Sequence, residues 1–471
     1  MKKAYIIGIC GKTTSSVAFF LREKGYEVSG SDSGSYPPVS TYLSKLNINF
    51  FIGYKEQNIA NFDPDIVVVG GTATKILADN EETKWALKNN KQILTYPEVL
   101  QKYIVKDKSV VVTGTYGKGT VSAMLAWILE VANKNPSFMI GGAPKNFSTG
   151  VRDTDSTISV IEGDEYPAAI INGIEKSKFF FYNPNYLIIN SVMWDHLDVF
   201  KTEQDYIANY QDLIDTLPEN SVILLNKDGE NIDKLVIPDF VQKIYFSSKT
   251  PGMWHAQNIN FDAGLISFEV VTPSRTVILV RSAFIGLHNV LNAVGAVAMA
   301  HELGVNNDDI ISAFNSYKHL KSHQELLTDV NGIKIYSDLA HSPIKAKETI
   351  KAFKQAFPNN NLFIVFDLHT PSMKDLSIIN WFDKVFDGAK KVYIPKVNAI
   401  KVNDKIISGK MITEEIKKYF KELVYLPSEQ ELAKEISRDA KIGDIVVFMS
   451  SGDVISRVEL LKEKLNEQRK I

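Results

Sequence analysis

The sequence predicts an α/β protein, and two observations lead to that prediction. Short runs rich in valine, isoleucine and leucine alternate with helical patterns through almost all of the 471 residues, which is typical of parallel sheets covered by helices. Because 45% of the residues are hydrophobic, the chain can bury ample core, but it is too long for one domain. We therefore expect a multidomain soluble protein, and the pattern divides into three units.

Charge and cysteine content narrow the classes of partner. A formal net charge of −2 gives no general reason to expect nucleic acid or an anionic membrane. The single cysteine, Cys10, excludes an internal disulfide and is expected to pack rather than react. The first apolar stretch is far shorter than a signal sequence or a membrane span. We expect a cytoplasmic protein with small polar or phosphorylated ligands, and neither nucleic acid nor a membrane as partner.

The first unit, residues 1–106, is predicted to be a Rossmann-like domain. Its strands are expected in KAYIIGI, YEVSGSD, DIVVVG and QILTY, with helices near residues 14–24 and 40–46. Gly8 and Gly11 lie between the first strand and helix, where a backbone can approach a pyrophosphate, and Asp32 ends the second strand, suited to a ribose or uracil. The segment GICGKTTS does not fit G-x-G-x-x-G, so a nicotinamide-dependent oxidoreductase is only a weak alternative.

The second unit, residues 107–320, opens with VVVTGTYGKGT, which has the strand, loop and helix order of a phosphate-binding loop. Backbone N–H groups of this loop can hold a β-phosphate, and the Lys118 ammonium can reach the β- and γ-oxygens. The alternative is a surface glycine turn with a solvated lysine. The predicted nucleotide contacts are Gly114, Thr115, Tyr116, Gly117, Lys118, Gly119 and Thr120.

The rest of the second unit predicts a P-loop ATPase-like parallel sheet. Strands are expected in STISVIE, YLIINS and SVILLN, residues 254–286 alternate like a small antiparallel insertion, and a helix closes the unit. Glu162 and His196 lie at carboxyl ends of presumed parallel strands, where α/β sheets place ligands. His288, Asn289 and Asn292 open the closing helix as a possible base-binding group or as a plain helix-cap cluster.

The third unit, residues 321–471, is predicted to be another α/β domain. Strands are expected in IKIYSD, LFIVFD, KKVYIP and DIVVFMS, each followed by a helix. Asp338 and His341 lie in YSDLAHSP at a strand-to-helix turn, and Pro343 suits the first helical turn.

The segments GTYGKGT, VIEGDEY, NSVMWDHLDVF, GLHNVLNA and YSDLAHSP together resemble the Mur ligase family, over essentially the whole chain. Members of this family use ATP to make amide bonds during peptidoglycan synthesis. The segments GSDSGSYPPVSTYL and GGAPKNF are most similar to the members that join UDP-N-acetylmuramate to a recycled muropeptide such as L-Ala-γ-D-Glu-meso-diaminopimelate. The members that use L-alanine are the alternative within the family.

The resemblance implies ATP and Mg²⁺ as cofactors and assigns a role to each unit. The first unit binds the UDP-sugar, the second binds ATP, and the third closes over the nucleotide and brings the amine; the protein is expected to be a monomer or a weak homo-oligomer. The implied nucleotide contacts outside the loop are His288, Asn289, Asn292 and Asp338. The implied metal ligands are Glu162, His196 and Thr120, with Glu165 and Asp195 as second choices. The implied catalytic residues are Lys118, His196 and His341. The implied UDP-sugar contacts are Gly8, Gly11, Lys12, Thr13, Asp32, Tyr36, Ser40 and Thr41, and His369 is a weaker candidate for the peptide pocket.

Several positions depart from the family pattern. Gly119 stands where a hydroxyl residue usually binds the metal, Met193 replaces an acidic residue, and Ser322-His323 replaces an arginine pair. Losing one group that stabilises a transition state can cost about 10²- to 10³-fold in rate. These departures keep open a second hypothesis, a catalytically weakened homologue that binds and regulates.

Overall fold

The computed structural model confirms the α/β class. It describes residues 1–35, 39–70, 80–168, 176–196, 199–248, 250–262, 264–368, 376–402, 405–450, 452 and 454–468. Within these ranges, no helix is long and apolar enough to cross a membrane. The chain divides into two compact units. Unit 1 comprises Met1–Asn258, Phe268–Arg281 and Val290–Lys318, and unit 2 comprises Ile259–Ser267, Ser282–Asn289 and His319–Ile471.

The first sheet has five parallel strands in the order β3-β2-β1-β4-β5. The strands are β1 (Lys3–Ile7), β2 (Glu27–Asp32), β3 (Phe50–Ile52), β4 (Ile66–Val69) and β5 (Gln92–Thr95). The helices are α1 (Lys12–Glu23), α2 (Val39–Lys45), α3 (Glu56–Phe62), α4 (Glu81–Lys88) and α5 (Tyr96–Tyr103). The strand order reverses beside β1, so the loop after β1 lies at the point where such sheets bind ligands.

The second sheet has ten strands in the order β15-β14-β13-β12-β11-β10-β6-β9-β7-β8. The strands are β6 (Lys108–Thr113), β7 (Ser137–Met139), β8 (Val151–Arg152), β9 (Ile158–Glu162), β10 (Tyr186–Ile189), β11 (Val222–Asn226), β12 (Gln242–Ser247), β13 (Trp254–Asp262), β14 (Leu265–Val271) and β15 (Val277–Ser282). The helices are α6 (Lys118–Val131), α7 (Glu203–Asp215), α8 (Leu287–Glu302) and α9 (Asn307–Ser316). The predicted insertion, residues 254–286, contributes β13 to β15, which extend this sheet beyond β12.

The third sheet has six strands in the order β16-β17-β23-β18-β19-β22, and a separate two-stranded sheet pairs β20 with β21. The strands are β16 (Glu325–Val330), β17 (Ile333–Asp338), β18 (Leu362–Phe366), β19 (Lys391–Ile394), β20 (Ile400–Val402), β21 (Lys405–Ile407), β22 (Leu423–Tyr425) and β23 (Ile445–Met449). The helices are α10 (Pro343–Ala356), α11 (Gly409–Lys417), α12 (Glu429–Asp439) and α13 (Ile455–Gln468). In the six-stranded sheet β16 is antiparallel to β17, and the other recorded pairs are parallel.

The register of the second sheet brings three loops to one edge. Thr113 pairs with Ile189, and Val112 pairs with Glu162, so β6, β9 and β10 end side by side. Valines 110 to 112 of β6 are fully buried, as expected for a central parallel strand. The segments that follow these strands, 114–117, 163–165 and 190–196, therefore converge.

Candidate functional site

The loop after β6 has the backbone geometry of a phosphate-binding turn. Gly114 and Gly117 have φ of +125° and +81°, in the left-handed region that favours glycine. A Cβ on Gly114 would lie 2.8 Å from Ser191 N, and one on Gly117 would lie 2.4 Å from Asn292 Oδ1. Gly117 is the N-cap of α6 and has no side chain to cap it. The first N–H groups of α6 are therefore available to an anion.

Neighbouring segments hold this loop in place. Thr115 N donates to Ser191 O at 2.9 Å, and Thr115 Oγ1 donates to Met193 O at 2.6 Å. Asn190 Nδ2 donates to Tyr116 O at 3.2 Å. The loop is thus fixed from the β10 side before any ligand binds.

Asn190 and Asn292 approach each other beside Gly117. Asn190 Nδ2 lies 3.4 Å from Asn292 Oδ1, and both side chains are buried. The sequence singled out Asn292 but not Asn190, because a strand-end asparagine carries no distinctive pattern. A nucleotide contact for Asn292 stays a prediction.

Lys118, the first residue of α6, is partly buried and forms an ion pair with the buried Glu165. Its Nζ donates to Gly114 O at 2.8 Å and to the two carboxylate oxygens of Glu165 at 2.8 and 3.1 Å. Burial alone would lower the pKa of Lys118, but the negative charge of Glu165 outweighs it and raises that pKa overall. Lys118 is therefore charged at neutral pH, as phosphate binding requires.

Glu165 is the centre of this cluster. Its side chain is 1% exposed, its Oε1 lies 3.3 Å from His196 Nε2, and the same oxygen accepts a hydrogen bond from the Tyr206 hydroxyl at 3.1 Å. Burial works against the charged form of Glu165, but Lys118 and His196 lower its pKa overall. His196, with φ of +55°, has a raised pKa because Glu165 outweighs the effect of burial.

A second lysine near the site, Lys178, is buried. Lys178 Nζ donates to Asp164 Oδ2 at 2.6 Å. Its ammonium also lies 5.6 Å from the centre of the Tyr96 ring and 5.3 Å from that of Tyr166. The sequence did not suggest Lys178, because a lysine in the segment EKSKFFFY gives no sign of burial.

Three side chains could hold a divalent cation. One ligand atom each of Asp164, Glu165 and His196 lies within 4.8 Å of the others. Mg²⁺ prefers oxygen ligands, and two carboxylates supply them, although each is also bonded to a lysine. These three side chains therefore suit a divalent cation, provided that Lys118 or Lys178 moves away from its carboxylate when the cation binds.

The other predicted metal residues have different surroundings. Glu162 ends β9 and accepts a hydrogen bond from Gly141 N at 2.7 Å. Thr120 is buried in the first turn of α6. The structure thus brings His196 together with Glu165, which the sequence analysis gave only as a second-choice metal ligand. Metal-binding roles for Glu162 and Thr120 stay predictions.

The first turn of α8 contains His288 and Asn289, which belong to unit 2. Asn289 Nδ2 donates to Ile285 O at 2.9 Å and to Gln324 Oε1 at 3.1 Å. Burial lowers the pKa of His288 to about 4, so its imidazole is neutral at pH 7. Asn289 therefore holds local structure around the start of α8 through these contacts, and nucleotide binding by this pair stays a prediction.

Asp338 ends β17 and organises the turn into α10. Its Oδ1 accepts hydrogen bonds from Ala340 N at 2.9 Å and Thr349 Oγ1 at 3.0 Å, and its Oδ2 accepts one from Gln324 N at 3.0 Å. His341 Nδ1 lies 2.6 Å from Leu339 O. The side chains of Asp338 and His341 therefore both make hydrogen-bond contacts around the turn between β17 and α10. Ligand-binding roles for them stay predictions.

The loop after β1 is tied to the end of β2. Gly8 has φ of +83°, and Asp32 Oδ2 accepts a hydrogen bond from Cys10 N at 2.8 Å. Thr14 Oγ1 donates to Gly8 O at 2.6 Å. Burial and then the charge of Asp32 raise the pKa of Cys10 to about 11, so its thiol is protonated and inert.

Among the other predicted substrate contacts, Gly11 is the N-cap of α1, Thr13 lies in α1, and Ser40 and Thr41 lie in α2. Tyr36, His369 and the side chain of Lys12 lie outside the described residues.

Unit 2 has a cavity of about 500 Å³ at the carboxyl ends of β18, β19 and β22. Its lining residues are Asp367, Lys396, Asn398, Pro427, Glu429 and Arg457. Asp367 Oδ2 accepts hydrogen bonds from Arg457 Nη1 at 3.2 Å and from Ser450 Oγ at 3.0 Å. The cavity therefore presents charges of both signs where parallel sheets place ligands.

Three sequence families match successive parts of the chain. They are described as Mur ligase family, catalytic domain, over residues 3–107; Mur ligase middle domain, over residues 112–300; and Mur ligase, glutamate ligase domain, over residues 324–452.

Individual proteins match as well. The chain is 33% identical over 357 residues to the UDP-N-acetylmuramate-L-alanyl-gamma-D-glutamyl-meso-2,6-diaminoheptandioate ligase of Haemophilus influenzae, covering 75% of this chain and 76% of the relative. It is 28% identical over 466 residues to the UDP-N-acetylmuramate-L-alanine ligase of Clostridium acetobutylicum, covering 98% of both.

Two crystal structures share the fold along the whole length. The UDP-N-acetylmuramate-alanine ligase of Thermotoga maritima has a TM-score of 0.78 at 22% identity, with 100% of this chain and 99% of that chain covered. A murein peptide ligase from Psychrobacter arcticus has a TM-score of 0.69 at 25% identity, with 99% of both covered.

Proposed function

Because the chain belongs to the Mur ligase family, we propose that it is an ATP-dependent ligase that joins UDP-N-acetylmuramate to a short muropeptide such as L-Ala-γ-D-Glu-meso-diaminopimelate. The observation that carries the proposal is the partly buried Lys118 at the glycine loop between β6 and α6, beside Glu165 and His196. A lysine in that position serves phosphoryl transfer, which a carboxylate needs before an amine can attack it.

The reaction has two steps. The carboxylate oxygen of the muramate attacks the γ-phosphorus of ATP, which breaks the bond to ADP and forms an acyl phosphate. The peptide amine then attacks the carbonyl carbon, loses a proton, and expels inorganic phosphate as the amide forms. The protein must hold the phosphates and the carboxylate in line, and it must neutralise the charge on the transferred group.

Residues of unit 1 suit these tasks. The first N–H groups of α6, which no side chain caps, and the positive end of this helix bind phosphate oxygens. Lys118 neutralises charge on the β- and γ-phosphates once its ammonium reaches them. Asp164, Glu165 and His196 would hold Mg²⁺, which when bound shields the phosphate charge. Glu162 and Thr120 are further candidate ligands from the sequence.

The three predicted ranges correspond to three tasks. We assign the UDP-sugar to residues 1–106, ATP to residues 107–320, and the amine substrate to residues 321–471. The family matches at 3–107, 112–300 and 324–452 support these ranges. The cavity at the carboxyl ends of β18, β19 and β22 carries charges of both signs, which supports a ligand with both carboxylate and amino groups. The protein acts in the cytoplasm, where ATP is available, as a monomer or weak homo-oligomer.

The choice of amine is the finer part of the proposal. Identity is higher to the ligase of the tripeptide, whereas the relatives that use L-alanine match along more of the chain. The segments GSDSGSYPPVSTYL and GGAPKNF favour the peptide. We therefore place the peptide first and L-alanine second.

Phosphate release with ATP, Mg²⁺, UDP-N-acetylmuramate and either amine tests the assignment. We expect faster release with the tripeptide than with L-alanine, and the reverse order would make L-alanine the substrate. Lys118→Ala should abolish release and leave UDP-N-acetylmuramate binding nearly unchanged in calorimetry. Binding of UDP-N-acetylmuramate and ATP without release by the unaltered protein would favour a weakened regulatory homologue, for which Gly119 is the supporting feature.

A further inference from the structure

All three donors of the Lys118 ammonium already have acceptors inside the protein. An ammonium group has three N–H donors. Gly114 O lies 2.8 Å from Nζ, and the Glu165 oxygens lie 2.8 and 3.1 Å from it. Lys118 therefore cannot bond phosphate oxygens fully while it keeps these contacts.

Glu165 can release Lys118 without becoming an unsatisfied buried charge. The Tyr206 hydroxyl donates to its Oε1 at 3.1 Å, and His196 Nε2 lies 3.3 Å from the same oxygen. Because these two groups stay in place, Glu165 would keep partners after the lysine moves. The carboxylate is thus suited to bind Lys118 reversibly.

The carboxylate next to Glu165 in the chain does not serve Lys118 as a second partner. Asp164 is bonded to its own lysine, Lys178, at 2.6 Å. Lys118 and Glu165 consequently form a pair that a phosphate can separate without disturbing the pair beside it.

From this geometry we propose that Glu165 is a positioning residue that competes with the nucleotide phosphates for Lys118. Without nucleotide, Glu165 and Gly114 hold the ammonium at the loop. When ATP binds, the ammonium exchanges the carboxylate for phosphate oxygens, and Glu165 remains with His196 and Tyr206. The inference rests on the proposed use of ATP.

Competition predicts that removing the charge of Glu165 strengthens ATP binding. Replacing the carboxylate by a neutral amide of the same shape weakens its bond to Lys118, because the attraction between opposite charges is lost and the amide has one acceptor oxygen where the carboxylate has two. ATP then has less to displace, so it should bind more tightly to the Glu165→Gln variant. A residue that only supports the local fold would instead weaken binding when altered.

Calorimetry of ATP binding in EDTA tests the proposal without metal chemistry. We expect Glu165→Gln to lower the Kd for ATP by about fivefold or more. Asp164→Asn is the matched control, because it removes an adjacent negative charge that does not contact Lys118, and we expect a smaller change. In a Lys118→Ala background, Glu165→Gln should leave the Kd unchanged within about twofold, because the competition acts through Lys118. Thermal melting checks that each variant is folded.

Three results would overturn the inference. One is an unchanged or higher Kd in folded Glu165→Gln, another is an equal gain in Asp164→Asn, and the third is the same gain with and without Lys118. Either of the last two results would mean that a carboxylate near the site weakens ATP binding by repelling the phosphates, and not by holding Lys118. If the unaltered protein binds no ATP with or without Mg²⁺, the proposed function itself fails, whereas ATP binding with any of the three results overturns only the role of Glu165.

Discussion

The carboxylate of Glu82 accepts a hydrogen bond from the Tyr5 hydroxyl at 2.8 Å, and the Glu82 side chain is completely buried. Ser31 Oγ donates to the same carboxylate at 2.5 Å and Asn58 Nδ2 at 3.2 Å. These contacts join α4 to β1, β2 and α3. Because Ser31 precedes Asp32, the carboxylate also supports the loop that we assign to the UDP-sugar.

Glu82→Ala should lower the free energy of unfolding by about 3 kcal/mol, because the buried hydroxyl groups of Tyr5 and Ser31 lose their acceptor. Urea denaturation measures the change. Glu81→Ala is the matched control, since Glu81 is its exposed neighbour in the same helix, and it should cost less than about 1 kcal/mol. Equal effects of the two substitutions would contradict a special role for the buried carboxylate.

Burial raises the pKa of Glu82 above its usual 4.5, although the hydrogen bonds from Ser31, Tyr5 and Asn58 oppose the shift. The folded state therefore holds the proton more tightly than the unfolded state. This contribution to stability is full below pH 4.5 and is lost as the pH rises through the folded pKa. Glu82→Gln cannot titrate, so its stability relative to the unaltered protein should improve from pH 4 towards neutrality. A pH-independent difference between the two would refute this prediction.

Gly117→Ala should weaken ATP binding by about tenfold or more, because the new Cβ would lie 2.4 Å from Asn292 Oδ1 and 2.6 Å from Asn190 Nδ2. Gly25→Ala is the control. Gly25 has a similar φ of +84°, but an added Cβ there has nothing within 4 Å. Calorimetry should show normal ATP affinity for Gly25→Ala and normal UDP-N-acetylmuramate affinity for both. Unchanged ATP affinity in Gly117→Ala would place the nucleotide elsewhere.

Gly119→Thr should tighten Mg·ATP binding and speed ligation, because it restores a hydroxyl at the usual metal position. Thr120 is buried one residue later, and a helix turns about 100° per residue, so its hydroxyl points in another direction. Melting without ligand is the control, because replacing an early-helix glycine is worth up to about 1 kcal/mol by itself. If Thr120→Ala destroys metal-dependent ATP binding and Gly119→Thr changes nothing, then Thr120 supplies the metal-binding hydroxyl and this prediction is wrong.

The sequence predicted the α/β class and most parallel strands because their valine and isoleucine runs are buried on both faces, as in β6 and β4. It did not predict β3 or β22, which have three residues each, or the antiparallel edge strand β16. Strands that are short or half-exposed leave too little hydrophobic pattern to be recognised.

Only part of the site was predicted, because a sequence pattern reports local features and not contacts between residues that are distant in the chain. Lys118 was found because glycine spacing and a following helix are local signals. Glu82 and Lys178 were missed because their burial depends on distant partners, Tyr5 and Asp164. Position at a strand end could not rank Glu162 against Glu165, since only the folded chain shows which carboxylate meets Lys118 and His196.

The most direct test of the proposed ligase reaction follows an oxygen atom. UDP-N-acetylmuramate labelled with ¹⁸O in its lactyl carboxylate is incubated with ATP, Mg²⁺ and the tripeptide, and the released phosphate is analysed by mass spectrometry. In an acyl phosphate, one carboxylate oxygen is bonded to phosphorus and leaves with it when the amide forms. We expect one ¹⁸O in each released phosphate, together with the peptide-linked product. Unlabelled phosphate would mean that ATP is cleaved without activating the carboxylate, and it would contradict the proposed ligase.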